Sequence, residues 1–330
     1  MKKGFVFGKY LPFHKGHQAL VTFALGRCDY LYVVVCGSDK ETLAVETRVN
    51  WIRTTFAGEK RLEVVELFYL EANLPNTSVS SMEVSRLWAS KFKNILPEVE
   101  VLITSEPYGD MVAQFMQIEH VLFDQERMAF PISATKIRAS IHDNWHFLPD
   151  IVKTYYQKKI VFLGTESTGK SSLSKAIATA VGGSWVEEVG RKIIADSNDF
   201  TQAQLIEVAR SHATNIQLAC QELKPWVLID TDIHITQSYA KYQFGHYLEI
   251  EQSIYDSNQA DLYLFLTNAL HYEQDGTRLS EAKRNELDHF HKATLADFGI
   301  PYREITGTWA QRYQAISLLL DHYFDEMFLF

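Results

Sequence analysis

The sequence predicts an α/β protein of two domains, each built on a mainly parallel sheet. Three observations carry this. Two short apolar runs each empty into a glycine-containing turn followed by a helix-like pattern, first at residues 8–17 and again at 164–172. Strand-like and helix-like stretches alternate along the whole chain. The two turns lie about one domain length apart in 330 residues, enough for two independent cores.

In the first half, residues 4–7 form a strand that opens into the loop 8–17, and residues 18–26 read as a helix. Residues 30–36 are a continuous apolar strand, which completes a βαβ unit. Residues 45–56 are helical in pattern and residues 62–65 form a short strand. Residues 82–95 place Val84, Leu87, Trp88, Phe92 and Ile95 along one helix face, expected to be core. Residues 99–105 form the next strand and lead into a turn-rich segment at 106–110, followed by a strand at 119–123. Such sheets are covered on both faces and gather ligands at the carboxyl ends of their strands, where both glycine turns fall.

Residues 149–158 separate the halves. They carry Pro149, Lys153 and Lys158 but no glycine or serine, which suggests a helix end of limited freedom. The domains are therefore expected at 1–152 and 158–330. Beyond the junction come a strand at 159–163, a helix through 181, a strand at 185–188, a helical stretch at 202–223 and a strand at 226–230. A strand at 262–266 precedes a polar loop, a helix, a short strand at 302–305 and a closing helix.

Composition excludes several classes. With 46% hydrophobic and 22% charged residues the chain is neither disordered nor of low complexity. A formal charge of -9 with no concentrated basic face argues against broad nucleic-acid binding. Cys28, Cys36 and Cys220 are too few and wrongly spaced for a disulfide framework, which fits a reducing cytoplasm. No signal-peptide pattern and no apolar stretch of membrane-spanning length is present, so a cytoplasmic location is expected.

Gly164-Thr165-Glu166-Ser167-Thr168-Gly169-Lys170-Ser171-Ser172 satisfies G-x-x-x-x-G-K-[ST] at every defined position, with a strand before and a helix after. In such a loop successive backbone N–H groups and the helix N-terminus converge on phosphate. Lys170 reaches the β and γ phosphates, and the Ser171 hydroxyl holds Mg2+. Asp230 closes an apolar strand and is a candidate second Mg2+ ligand. Asp232 competes for that role, and either acid can instead cap the next helix. Glu188 and Arg191 follow the second strand of this half. There they can handle a hydroxyl proton and a phosphate, or form only a surface ion pair. Asp275 and Arg278 are lid candidates in a polar loop, and Tyr239 and Tyr242 are either site aromatics or core. These parts suit a kinase acting on a small-molecule hydroxyl.

In the first half, Gly8 and Lys9 open the loop, and His14-Lys15-Gly16-His17 sets two imidazoles at a helix start with Gly16 between them. Zinc would need further Cys or His ligands at suitable spacing, and none is nearby in sequence. Residues 132–138 supply Ser133, Thr135, Lys136 and Arg138 before an amphipathic helix. They form a second phosphate clamp or an ordinary N-cap.

The pairing of G-K-x-x-P-F-H-x-G-H with I-S-x-T-x-I-R resembles the HxGH nucleotidyltransferase superfamily, and specifically nicotinamide mononucleotide adenylyltransferases. Followed by a P-loop domain, it resembles the NadR family across nearly the whole chain. That resemblance implies a Rossmann-like nucleotidyltransferase domain followed by a P-loop kinase domain. The second makes nicotinamide mononucleotide from the riboside with ATP, and the first converts it to NAD and pyrophosphate. By the same resemblance His14 and His17 stabilise the α-phosphate transition state, while Ser133, Thr135 and Arg138 hold the leaving phosphates. Lys9 stands where many archaeal-type enzymes have arginine, and Arg48 resembles a substrate-side arginine or is a surface helix residue. The first strand begins by residue 4, with no helix-turn-helix segment before it, so direct DNA binding is not expected.

The expected partners are ATP with Mg2+, nicotinamide riboside, nicotinamide mononucleotide and NAD. A homo-oligomer is expected, and membrane insertion is not. Two competing readings remain: a nucleotide-sensing regulatory protein of weak turnover, and a kinase whose first half is degenerate or acts on another acceptor. Intact His14, His17, Lys170 and Ser171 disfavour the first.

Overall fold

The computed structural model describes residues 1–75, 81–96, 98–194, 199–267 and 281–323. These divide into two compact units, Met1–Tyr155 and Tyr156–Tyr323.

The first unit runs β1 (Lys3–Gly8), α1 (Lys15–Leu25), β2 (Tyr30–Ser38), α2 (Val45–Thr55), β3 (Leu62–Tyr69), α3 (Met82–Ile95), β4 (Val101–Thr104), α4 (Gly109–Met116), β5 (Glu119–Leu122) and α5 (Ala134–Ala139). A 3-10 turn at Trp145–Phe147 and α6 (Asp150–Tyr156) follow. The sheet is parallel throughout in the order β3-β2-β1-β4-β5. The chain winds outward from β1 to β3 and then returns past it, so the strand order reverses between β1 and β4. That reversal opens a crevice at the carboxyl ends of the two strands, where Gly8 and Thr104 end them. The apolar runs of β1, β2 and β4 are buried because helices cover both faces, and Phe5, Val34, Phe92, Leu102 and Val112 form the core on one side. Each such side chain contributes roughly 1.5–3 kcal/mol by leaving water.

α3 has the expected bounds, but its buried residues are Ser85, Ala89 and Phe92. Leu87 is exposed, contrary to the expected stripe. It lies five residues from Phe92, about 140° around a helix of 3.6 residues per turn, so the two cannot share a face. The expected turn at 106–110 runs into α4, a short helix with Val112, Ala113 and Met116 buried. The junction segment is largely helical, as α6.

The second unit runs β6 (Lys158–Leu163), α7 (Lys170–Ala180), β7 (Ser184–Val186), α8 (Gly190–Ile193), α9 (Gln202–Gln221), β8 (Trp226–Asp230), α10 (Ile233–Phe244), α11 (Gln252–Asn258), β9 (Leu262–Leu266), α12 (Glu281–Asp297), β10 (Arg303–Ile305) and α13 (Trp309–Tyr323). Its sheet is also parallel, ordered β10-β9-β6-β8-β7. β6 lies in the centre with Val161 and Leu163 fully buried against Ile229 and Phe265. Register pairs Phe162 with Asp230, so the aspartate that ends β8 lies beside the strand leading into the glycine loop.

Candidate active sites

In the first unit, the loop after β1 delivers His14 as the N-cap of α1. Its backbone is extended and its Nδ1 accepts the His17 amide at 3.3 Å. Because Nδ1 accepts, the proton of the neutral ring sits on Nε2. The His14 and His17 rings stack with centroids 3.6 Å apart, and a Cβ on Gly16 would come within 3.0 Å of the His14 ring. Glycine at 16 therefore makes room for the stack. Burial pushes His14 down to about 3, helped by the Arg127 charge, and holds His17 well below its ordinary value. Both imidazoles are neutral hydrogen-bonding groups, not cations.

Gly8, Lys9, His14, Gly16, His17, Ser133, Thr135 and Arg138 line one cavity of about 500 Å³, so the two distant motifs meet. The link is physical: Arg138 donates to the Leu11 carbonyl and, at 3.3 Å, to the Thr135 hydroxyl. Ser133 caps α5 by accepting the Lys136 amide at 3.2 Å, so the N-cap alternative holds and the residue still faces the cavity.

Arg48 is neither a surface residue nor part of the cavity lining. Its side chain is 1% exposed and pairs with Glu41 at 2.7 Å, while Nη1 donates to the Lys9 carbonyl at 2.7 Å and the Cys36 carbonyl at 3.2 Å. It braces the loop through these contacts, and Nε also donates to the Ala44 carbonyl at 3.4 Å. Lys9 itself pairs with Glu41 at 2.8 Å and approaches Glu71 at 3.5 Å. Arg127, absent from the sequence reading, also lines the cavity and is held by Glu106 at 2.7 Å. It belongs to no motif. Its position after β5, at a sheet's carboxyl end, was the only signal.

In the second unit, the glycine loop needs its glycines. Gly164 has φ +131°, and a Cβ there would lie 2.5 Å from the Leu266 carbonyl oxygen. Gly169 has φ +85° as the N-cap of α7. Lys170 is buried and donates to the Thr165 carbonyl at 2.8 Å, which also accepts the Thr168 hydroxyl at 2.8 Å. Ser172 donates to the Gly169 carbonyl at 3.0 Å.

Asp230 and Asp232 part company. Asp230 is fully buried, and among the described residues neither carboxylate oxygen has a hydrogen-bond partner. Burial pushes its carboxyl up, against the pull of Lys170 and of Ser171, whose hydroxyl lies near without hydrogen-bond geometry. An orphaned buried carboxylate beside a serine hydroxyl fits the hard oxygen donors that Mg2+ prefers. Asp232 is the N-cap of α10: one oxygen accepts the His234 and Ile235 amides at 3.0 and 3.2 Å, and the other meets His234 Nδ1 at 2.5 Å. Asp232 therefore caps α10, and it is absent from the lining of the P-loop cavity.

A cavity of about 220 Å³ opens at the glycine loop, lined by Gly164, Glu166, Lys170, Glu188 and Arg191 and walled by Phe200, Leu205, Val208, Ile235 and Tyr239. Glu188 and Arg191 approach to 3.6 Å, so the ion pair exists but stands in the cavity wall. His212, missed in the sequence, lines the same cavity and meets the Thr231 carbonyl through Nε2 at 3.1 Å. Tyr239 is a wall residue. Tyr242 is not, and instead meets Glu286 at 3.3 Å and packs on Phe290. Asp275 and Arg278 lie outside the described residues.

Fold and sites together define a two-unit nucleotide-handling protein, a nucleotidyltransferase-like unit followed by a P-loop kinase-like unit. Residues 6–129 match the family described as citrate lyase ligase C-terminal domain, and residues 159–312 match the AAA domain family. The chain is 27% identical over 321 residues to the trifunctional NAD biosynthesis/regulator protein NadR of Escherichia coli, covering 91% of this chain and 77% of that one. It is also 27% identical over 135 residues to a nicotinamide-nucleotide adenylyltransferase of Ignicoccus hospitalis, covering 40% of this chain and 75% of the relative. Among solved structures, a NadR protein in complex with NAD and AMP-PNP superposes with a TM-score of 0.63 at 19% identity, over 98% of this chain and 96% of the other. A NadR protein in complex with NR gives 0.64 over the same shares. The chain is thus similar to NadR proteins over most of its length.

Proposed function

We propose that the chain is a bifunctional NAD salvage enzyme. Its second unit phosphorylates nicotinamide riboside with ATP, and its first unit adenylylates the resulting mononucleotide to NAD. The observation that carries this reading is that two separate cavities each assemble phosphate-handling groups: His14, His17 and Arg138 in one, and the P-loop with Asp230 in the other.

In the second unit the riboside hydroxyl attacks the γ-phosphorus of ATP, the bond to the β-phosphate oxygen breaks, and ADP leaves. Lys170 moves from the Thr165 carbonyl to the phosphates, and Glu188 at the cavity wall takes the hydroxyl proton. Ser171 and Asp230 would hold Mg2+, which when bound supplies charge neutralisation at the phosphates. In the first unit a mononucleotide phosphate oxygen attacks the α-phosphorus and pyrophosphate departs. The attacking oxygen is already anionic, so no base is required. Alignment by the cavity and donors from His14 and His17 supply the catalysis, while Ser133, Thr135 and Arg138 hold the leaving group. Gly8, Lys9 and Gly16 line the same cavity. A cytoplasmic location completes the reading.

The test is to supply nicotinamide riboside, ATP and Mg2+ and separate the products by chromatography. Mononucleotide, then NAD, with ADP and pyrophosphate in matching amounts supports the proposal. ATP consumption without either pyridine product contradicts it.

A further inference from the structure

Arg312, on α13, is completely buried, yet among the described residues its hydrogen bonds go to backbone carbonyls from three loops. Nε donates to Gly307, Nη1 to Thr168 in the P-loop and Nη2 to Thr267 at the exit of β9, each at 2.8 Å. A buried guanidinium ordinarily needs a carboxylate partner to offset its lost hydration. Among the described residues none of its hydrogen bonds reaches one, and burial holds its pKa below the ordinary value.

The Thr168 carbonyl and the Gly169 amide belong to one planar trans peptide and point in opposite directions. Gly169 has φ +85°, a region that glycine enters and leaves at little cost, so this peptide plane is free to rotate unless something fixes it. Arg312 fixes it from behind. The same contact ties the P-loop to the segment leaving β9, and its positive charge stands on the far side of the loop that binds a polyanion. We propose that Arg312 is a positioning residue of the phosphoryl-transfer site: by gripping the Thr168 carbonyl it aims the Gly169 amide at the ATP phosphates, and the bound triphosphate completes its charge. This rests on the phosphoryl-transfer reading of the second unit.

The test compares R312K and R312A in the full chain with the wild type. Lysine keeps the charge but loses the planar three-way fork. In R312K the KM for ATP in riboside phosphorylation rises about tenfold or more, while the KM for the riboside changes less than twofold. NAD formation from added mononucleotide is unchanged. Millimolar guanidinium restores part of the ATP affinity of R312A. If R312A fails to fold, as judged by circular dichroism, the R312K comparison alone decides. A wild-type KM for ATP in R312K overturns the proposal. So does an equal loss for both substrates that tracks a lowered melting temperature without guanidinium rescue. ATP affinity is also read by the thermal shift of the second unit, which needs no acceptor. A wild type that binds ATP there but phosphorylates no riboside overturns the functional reading and leaves the Arg312 comparison standing.

Discussion

His14 accepts the amide of His17 and stacks against its ring, so the two imidazoles form one neutral, buried unit at the start of α1. Under the proposed function, such a neutral pair would donate hydrogen bonds to the reacting phosphate without holding pyrophosphate by charge. The cations Arg138 and Arg127 stand elsewhere in the same cavity.

His17→Ala removes one donor and the stack that orients the other. NAD formation from added mononucleotide is expected to fall by about a hundredfold or more, in the range typical for deleting one transition-state donor. Riboside phosphorylation should be unchanged. Steady-state rates of both reactions on the same preparation check this.

Asp230 and Asp232 have opposite stability signatures. Asp230 carries two unpartnered oxygens in a buried place, so Asp230→Asn relieves an unfavourable charge and is expected to leave melting temperature unchanged or higher while phosphorylation collapses. Asp232→Ala strips two amides and His234 of their acceptor and should destabilise by about 1–2 kcal/mol or more. Thermal denaturation alongside kinase rates separates the two.

Acid should weaken both units. His14 is lowered to about 3 and His17 well below its ordinary value in the first; His291, lowered to about 3, and His212 lie in the second. Below an ordinary value near 6.5 the unfolded chain takes up protons that the folded chain refuses, so stability is full above that pH and is lost as pH falls toward 3. Denaturant midpoints are expected to drop steadily between about pH 6.5 and 4.5, and His291→Asn should shallow the slope for the second unit. A flat profile over that window contradicts this.

Gly164→Ala adds a Cβ 2.5 Å from the Leu266 oxygen at φ +131°. The substitution should cost about 1–3 kcal/mol and disable the kinase, with NAD formation from mononucleotide retained. Urea denaturation and the two assays report this.

Much of this was legible in the sequence, for physical reasons. The apolar runs at 226–230 and 262–266 are strands with those bounds because a parallel strand covered on both faces is apolar along its whole length. The P-loop and the two histidines were legible because phosphate chemistry restricts which residues can follow such strands. The Asp230 and Asp232 roles were not, since both acids follow the same strand and only the turn at Thr231 and the start of α10 decide which oxygens become occupied. Arg48, Arg127 and Arg312 were misread or missed for a related reason. An arginine's role depends on which carbonyls and acids the tertiary fold brings to its fork, and no local pattern records that.

The central claim is that each unit carries its own complete reaction. Lys170→Ala and His17→Ala should each convert nicotinamide riboside to NAD at least about a hundredfold more slowly than the wild type, whereas an equimolar mixture of the two variants should make NAD at a rate close to the wild type, because mononucleotide released by one is used by the other. A mixture no faster than the single variants, or NAD at the wild-type rate from either variant alone, would contradict the account.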